Sequence, residues 1–199
     1  LSHVSDFAVE RIEEAEKKLV AYDGREVPFD LLVTVPTNRG AACIRESGLG
    51  DELGLIPTDK ATLQSKAHPD NFVLGDASDI PASKAGSSAH FQTEVIAENV
   101  RCFLDRVPLS AQYDGHANCF IELGSGKAAM IDFNYETEPL EGSFPFPIIG
   151  PFSLLKGSRI NHWGKRMFSF IYWNFLLKDR PLPFLSGRMR LFFFFFSTT

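Results

Sequence analysis

Apolar residues recur along this chain in several rhythms, and each predicts a different element. Phe29 to Val35, FDLLVTV, is a largely apolar run closed by Pro36, which predicts a strand covered on both faces in a parallel sheet. Phe91, Val95, Ile96, Val100, Phe103 and Leu104 return at three- and four-residue spacing, which marks one face of a helix. CFIEL and AAMIDF flank the linker GSGK, Gly124 to Lys127, and read as a hairpin with its turn. Ahead of the helix, NFVLGDASDIPASKAG, Asn71 to Gly86, predicts a short strand, a turn-rich loop and the helix start.

The last apolar cluster is of another kind. HWGKRMFSFIYWNFLLKDRPLP concentrates Trp163, Met167, Phe168, Phe170, Ile171, Tyr172, Trp173, Phe175, Leu176 and Leu177, with Lys165, Arg166 and Ser169 offset to another side. Its apolar run falls short of the ~20 residues needed to span a bilayer. Aromatic rings flanked by cations suit the bilayer interface, while packing into the protein's own core is the other reading. Upstream, EGSFPFPIIGPFSLL carries no charge after Glu141 and would form a rigid apolar approach. Downstream, the five consecutive Phe of SGRMRLFFFFFSTT have neither helical nor strand periodicity and receive no role.

Composition narrows the function classes. With 199 residues, 44% hydrophobic and 23% charged, the chain reads as a soluble globular protein of one large or two small domains. A net charge of −5 provides no basic field for nucleic acid. Three cysteines without a CxxC pair make neither a disulfide framework nor a zinc site. His68, His90, His116 and His162 do not cluster at metal-ligand spacing, so no metal is expected. The chain opens at Leu1 and enters the charged stretch VERIEEAEKKLV without a signal peptide, as if beginning mid-protein.

Candidate chemistry lies at two places. Gly75 permits close backbone approach, Asp76 offers a carboxylate to sugar hydroxyls, and Ser83 to Gly86 lie where free amides at a helix start favour an anion or an electron-rich ring. A plain Gly-Asp turn accounts for the same two residues. GLGDELG has the wrong spacing for a dinucleotide loop, GSGK lacks the features of a phosphate loop, and GxGxxG is nowhere in the chain. Among the cysteines, Cys43 lies near Arg39 and Arg45 in sequence and Cys102 falls within the helix; both read as small fillers. Cys119 stands in the hairpin. His116 precedes it by three residues, an offset that turns the two side chains to opposite faces of a strand.

In order, FDLLVTVP, DELGLIPTDKATLQSKAHPDNFVLGD, IPASKAG, YDGHANCFIELGSGKAAMIDFNYETEPL and FIYWNFLL resemble the sulfide:quinone oxidoreductase family, over about Asp30 to Pro183. The resemblance implies an α/β fold: the C-terminal part of a Rossmann-like flavoprotein with two dinucleotide-binding (FAD/NAD(P)) domains, ending in a membrane-interface helical region. It divides the chain into the end of the NAD-type domain (1–60), a returning segment of the FAD domain (61–110), a hairpin with an amphipathic membrane and quinone region (111–185), and an atypical tail (186–199). It implies that Asp76 contacts the ribityl hydroxyls of FAD, with Gly75 allowing the approach. Lys84, Ala85 and Gly86 would lie by the pyrimidine end of the flavin. Cys119 would be the redox cysteine that carries sulfane sulfur, its partner cysteine lying upstream of the matched region. The implied activity is oxidation of sulfide, with electrons passed through FAD to a membrane quinone, by a peripheral membrane protein. An NADH-oxidising, quinone-reducing flavoprotein and a non-catalytic membrane-binding remnant are the alternatives. Cys119 favours sulfide over NADH, since hydride transfer to a flavin needs no cysteine.

Overall fold

Two tight turns fold the N-terminal segment back on itself. Lys17 adopts φ +51° after a run of glutamates, and Gly24 takes φ +82° in an Asp-Gly turn, a conformation that glycine reaches without steric cost. The result is an antiparallel sheet of β1 (Val9–Glu13), β2 (Lys18–Ala21) and β3 (Glu26–Pro28), in that order. Lys18 lies 3.1, 2.6 and 3.2 Å from carboxylate oxygens of Glu13, Glu16 and Glu26, and these partners, Glu16 foremost, raise its pKa. This computed structural model describes residues 3–35, 38–146 and 150–178. The sequence-based readings at Pro36, within 147–149 and over the tail 186–199 lie outside them. The chain divides into two units, 1–38 and 39–199.

FDLLVTV corrects the sequence-based expectation. It forms no strand, and Leu31, Val33 and Val35 are 83, 88 and 85% exposed. A parallel strand holds only when neighbours take up its N–H and C=O groups, and no described strand pairs with this run.

The second unit is organised by α2 (Gly86–Leu104), as its periodicity predicts. Phe91 and Val95 pack with Leu63, Ile80 and Tyr113 into one core cluster, each large side chain contributing about 1.5–3 kcal/mol on burial. Preceding α2 are a short helix α1 (Ala42–Glu46) and a coil stitched by isolated bridges. The expected strand at Asn71 to Leu74 reduces to one of these, Gln64 to Phe72, followed by a single 3-10 turn at Gly75–Ala77.

Buried amides supply hydrogen bonds that this coil cannot make for itself. Gln92 Oε1 accepts from Gly75 N at 2.6 Å. Asn99 donates to the carbonyls of Thr62 (2.9 Å) and Ala111 (3.0 Å) and accepts from Ala111 N at 3.0 Å.

The predicted hairpin is present. β4 (Ala117–Gly124) and β5 (Lys127–Phe133) pair antiparallel across a turn in which Gly124, Ser125 and Gly126 all have positive φ. Two short strands, β6 (Gly142–Phe144) and β7 (Phe152–Leu154), complete a sheet of order β4-β5-β7-β6, with β5 and β7 parallel. α3 (Arg159–Asn174) begins at Ser158, whose Oγ accepts from Asn161 N at 3.0 Å. It packs against β4, β5 and β7. Gly164 makes that closeness possible, because a Cβ there would collide with the Phe152 ring. The described residues are thus mixed α/β.

Candidate active site between α2, β4 and α3

A pocket of about 240 Å³ lies where three elements meet. The start of α2 contributes Ala85, Gly86 and Ser87; β4 contributes Asn118, Cys119 and Phe120; α3 contributes Lys165, Phe168 and Tyr172. Buried Phe91 and Met130 line it from the core side.

Local sequence accounts for each wall. Ala85 precedes α2 in an extended conformation and has no capping side chain, which leaves first-turn amides for a ligand or water. Ser87 Oγ donates to the Asn118 carbonyl at 2.7 Å, tying the helix start to β4. Lys165, Phe168 and Tyr172, spaced three and four apart, share one face of α3. Alternation along β4 puts Asn118 and Phe120 on the face of their cross-strand partners Asp132 and Met130, with Cys119 and Ile121 on the other. Cys119 borders the pocket and is exposed, its thiol 3.7 Å from the Phe120 carbonyl.

The segment leading to Cys119 is held rigidly. Gly115 has φ +87° and lies so close to the Tyr135 ring that a Cβ would collide with it. Asp114 Oδ1 accepts from His116 N at 3.0 Å. Burial pushes the Tyr113 phenol pKa up, so its hydroxyl remains a donor, to the His116 carbonyl at 2.8 Å. His116 is buried, stacks on Phe91 with centroids 4.6 Å apart, and places Nε2 2.8 Å from Asp132 Oδ1. Its ring therefore belongs to the core side of the strand.

Gly75, Asp76 and Lys84 cluster on the turn that precedes the pocket, and none of the three lines it. The Lys84 ammonium donates to the carbonyls of Gly75, at 3.4 Å, and Ser78. Burial lowers its pKa, against the opposing pull of Asp76 and Asp79. The structure thus brings Ala85, Gly86 and Cys119 together in the pocket and uses Lys84 to brace the Gly75–Ser78 turn. Cys43, exposed, and Cys102, buried, are free thiols that do not line the pocket. Gln92 and Asn118 are missed by sequence reasoning. A polar residue on the apolar face of α2 marks Gln92, whereas nothing in the neighbourhood of Cys119 marks Asn118.

In sequence, the chain is 34% identical over 159 residues to the mitochondrial sulfide:quinone oxidoreductase of Schizosaccharomyces pombe. Over this stretch the chain matches the sulfide:quinone oxidoreductase family in its C-terminal portion. The sulfide:quinone oxidoreductases of Dictyostelium discoideum and Mus musculus are 30% and 27% identical to it over 158 and 154 residues. These matches cover 76–78% of this chain but only 32–33% of the relatives, so it spans about a third of their length. In fold, 89% of the chain superimposes on 42% of the sulfide:quinone oxidoreductase from Aquifex aeolicus, with a TM-score of 0.62 at 17% identity. A chain of the Tetrahymena thermophila mitochondrial ATP synthase matches 86% of it with a TM-score of 0.61 at 22% identity. No family model matches the chain.

The donor set fits the ring of a flavin. First-turn amides of α2 suit an electron-rich edge. Asn118 Nδ2 is buried without a hydrogen-bond partner, a deficit of about 1–3 kcal/mol that a ligand's acceptor would relieve.

Proposed function

We propose that this chain forms the sulfur-handling and quinone-facing part of an FAD-dependent sulfide:quinone oxidoreductase. The observation that carries this reading is the meeting of an uncapped helix start, a solvent-open cysteine and an aromatic helix face around one pocket. Ala85 and Gly86 would hold the flavin ring, and Gly75 and Asp76 the ribityl chain, on a turn braced by Lys84. When bound, FAD supplies the two-electron acceptor chemistry that links sulfide to quinone.

The chain's own contribution to the reaction is Cys119. It forms one half of a sulfur–sulfur linkage to a partner thiol supplied outside the matched region. Hydrosulfide attacks one sulfur, a new S–S bond forms, the old one breaks, and the other sulfur departs as a thiolate carrying the electron pair. Exposure of Cys119 gives hydrosulfide access. Phe120, Phe168 and Tyr172 offer flat apolar walls to a quinone and exclude water from it. Joined to the upstream portion that supplies the partner thiol and loaded with FAD, the protein is expected to accelerate sulfide-dependent reduction of a soluble quinone over FAD alone. No protein-dependent rate would favour the non-catalytic membrane-binding alternative.

A second face of α3 supports membrane attachment. Ile160, Trp163, Met167 and Phe170 are 55, 62, 54 and 59% exposed, and the Arg166 guanidinium lies 5.3 Å from the Trp163 ring centroid. Among the described residues no helix is long and apolar enough to cross a membrane. A helix lying in the interface with these side chains immersed accounts for their exposure. The names of the relatives make a mitochondrial membrane the setting of this reading. In liposome flotation the wild-type chain is expected to rise with the lipid and a Trp163→Ser, Met167→Ser, Phe170→Ser variant to remain below. Equal flotation of the two would count against attachment through α3.

A further inference from the structure

We infer that Asn118 determines ligand specificity in the pocket by donating a hydrogen bond from its side-chain amide to a ring carbonyl oxygen of the flat, conjugated acceptor bound there. The inference rests on the pocket reading above and adds to it a residue and a chemical requirement.

The residue is fixed in place from several directions. Its carbonyl accepts from Ser87 Oγ at 2.7 Å, and β4 pairs it with Asp132 on β5. Its side chain shares a strand face with Phe120 and lines the pocket, and its Nδ2 is buried without a hydrogen-bond partner. A buried amide nitrogen is normally paired. Here the surrounding walls, Phe120, Met130, Phe168 and Tyr172, present chiefly ring and thioether surface. The Lys165 ammonium faces Glu122 at 3.8 Å. The terminal torsion of Asn is broad, so the amide can turn toward a ligand while the backbone stays where Ser87 and β5 hold it.

That arrangement divides recognition into two parts. Aromatic walls hold any flat ring by its faces and do not discriminate among ring chemistries. An amide donor on the wall is satisfied only by a ligand with an acceptor at its edge. Quinones and the dione edge of a flavin both carry such a carbonyl; a hydrocarbon of the same shape does not. A site with a buried unpaired donor discriminates against the analogue that leaves it unpaired.

The test uses the 199-residue chain, with menadione, lumiflavin and 2-methylnaphthalene titrated against intrinsic fluorescence. Asn118→Leu removes the amide while keeping the branched shape and the number of side-chain heavy atoms. It is expected to weaken whichever carbonyl ligand the pocket takes by roughly tenfold, the size of one hydrogen bond, and to leave 2-methylnaphthalene within about twofold. The arm that weakens, menadione or lumiflavin, identifies the source of the carbonyl. Equal weakening of the hydrocarbon, or no weakening of any ligand, overturns the role of Asn118 while leaving the pocket intact. Failure of the wild-type chain to bind any of the three overturns both the pocket reading and this inference. If the variant does not fold, the infrared carbonyl stretch of the ligand bound to wild type decides. A shift to lower wavenumber than in hydrocarbon solvent supports the bond, and an unshifted band overturns it.

Discussion

Replacing Cys119 by Ser in a full-length, flavin-loaded version that carries the partner thiol is expected to abolish sulfide-dependent quinone reduction, by on the order of a thousandfold or more, as loss of the proposed sulfur carrier would. Flavin content, read from visible absorbance, should stay unchanged. The expectation follows from how little else Cys119 does. It is exposed on β4, and its thiol makes only a weak 3.7 Å approach to the Phe120 carbonyl, so the substitution should cost the fold no more than about 0.5 kcal/mol. A hydroxyl neither ionises near neutral pH nor forms a sulfur–sulfur bond, and both are required of a sulfur carrier. Cys43→Ser provides the comparison, since Cys43 is exposed but does not line the pocket; it should leave the rate unaltered. Retained activity in the Cys119 variant would reduce that residue to packing.

Asn99→Ala is expected to destabilise the second unit by about 3–5 kcal/mol. Asn99 is fully buried, and its amide joins Thr62 and Ala111, segments on either side of α2 in the sequence, through hydrogen bonds of 2.9, 3.0 and 3.0 Å. Truncation leaves two carbonyls and one N–H without partners and opens a void beside them. For a unit of this size the loss corresponds to a fall in melting temperature of roughly 10 °C, measurable by circular dichroism. A change below about 1 kcal/mol would mean that water replaces the amide.

Much of the architecture is legible in the sequence. α2 follows from its three- and four-residue apolar spacing, and the β4–β5 hairpin from two apolar runs around a glycine-rich linker. Its glycines at 124 and 126 take the positive φ that such a turn demands. Cys119 stood out by motif, and so did Ala85 and Gly86, which line the pocket with it.

Other features were hidden for identifiable reasons. The N-terminal meander reads only as a charged stretch, because β1 carries Glu10, Arg11 and Glu13 and the turn after it Glu14, Glu16 and Lys17, although the Asp-Gly turn is a readable signal. FDLLVTV showed the opposite fault: it has the composition of a buried strand, yet strand formation depends on partners as well as on the run itself. Gln92 and Asn99 read as interruptions of an apolar helix face. Both are buried because the coil packed against α2 offers them backbone groups to bond.

By itself, the sequence determined the main helices, the hairpin, the family resemblance and the sulfur-bearing candidate, because periodicity, turn stereochemistry and motif order are local properties of a chain. Only the tertiary structure decided that the start of α2, the middle of β4 and one face of α3 share a pocket. It also decided that Lys84 braces a turn, that His116 turns to Asp132, and that the amide of Asn118 is left without a partner. Those outcomes depend on long-range packing, which brings together residues far apart in sequence and sets which polar groups are already satisfied and which remain for a ligand.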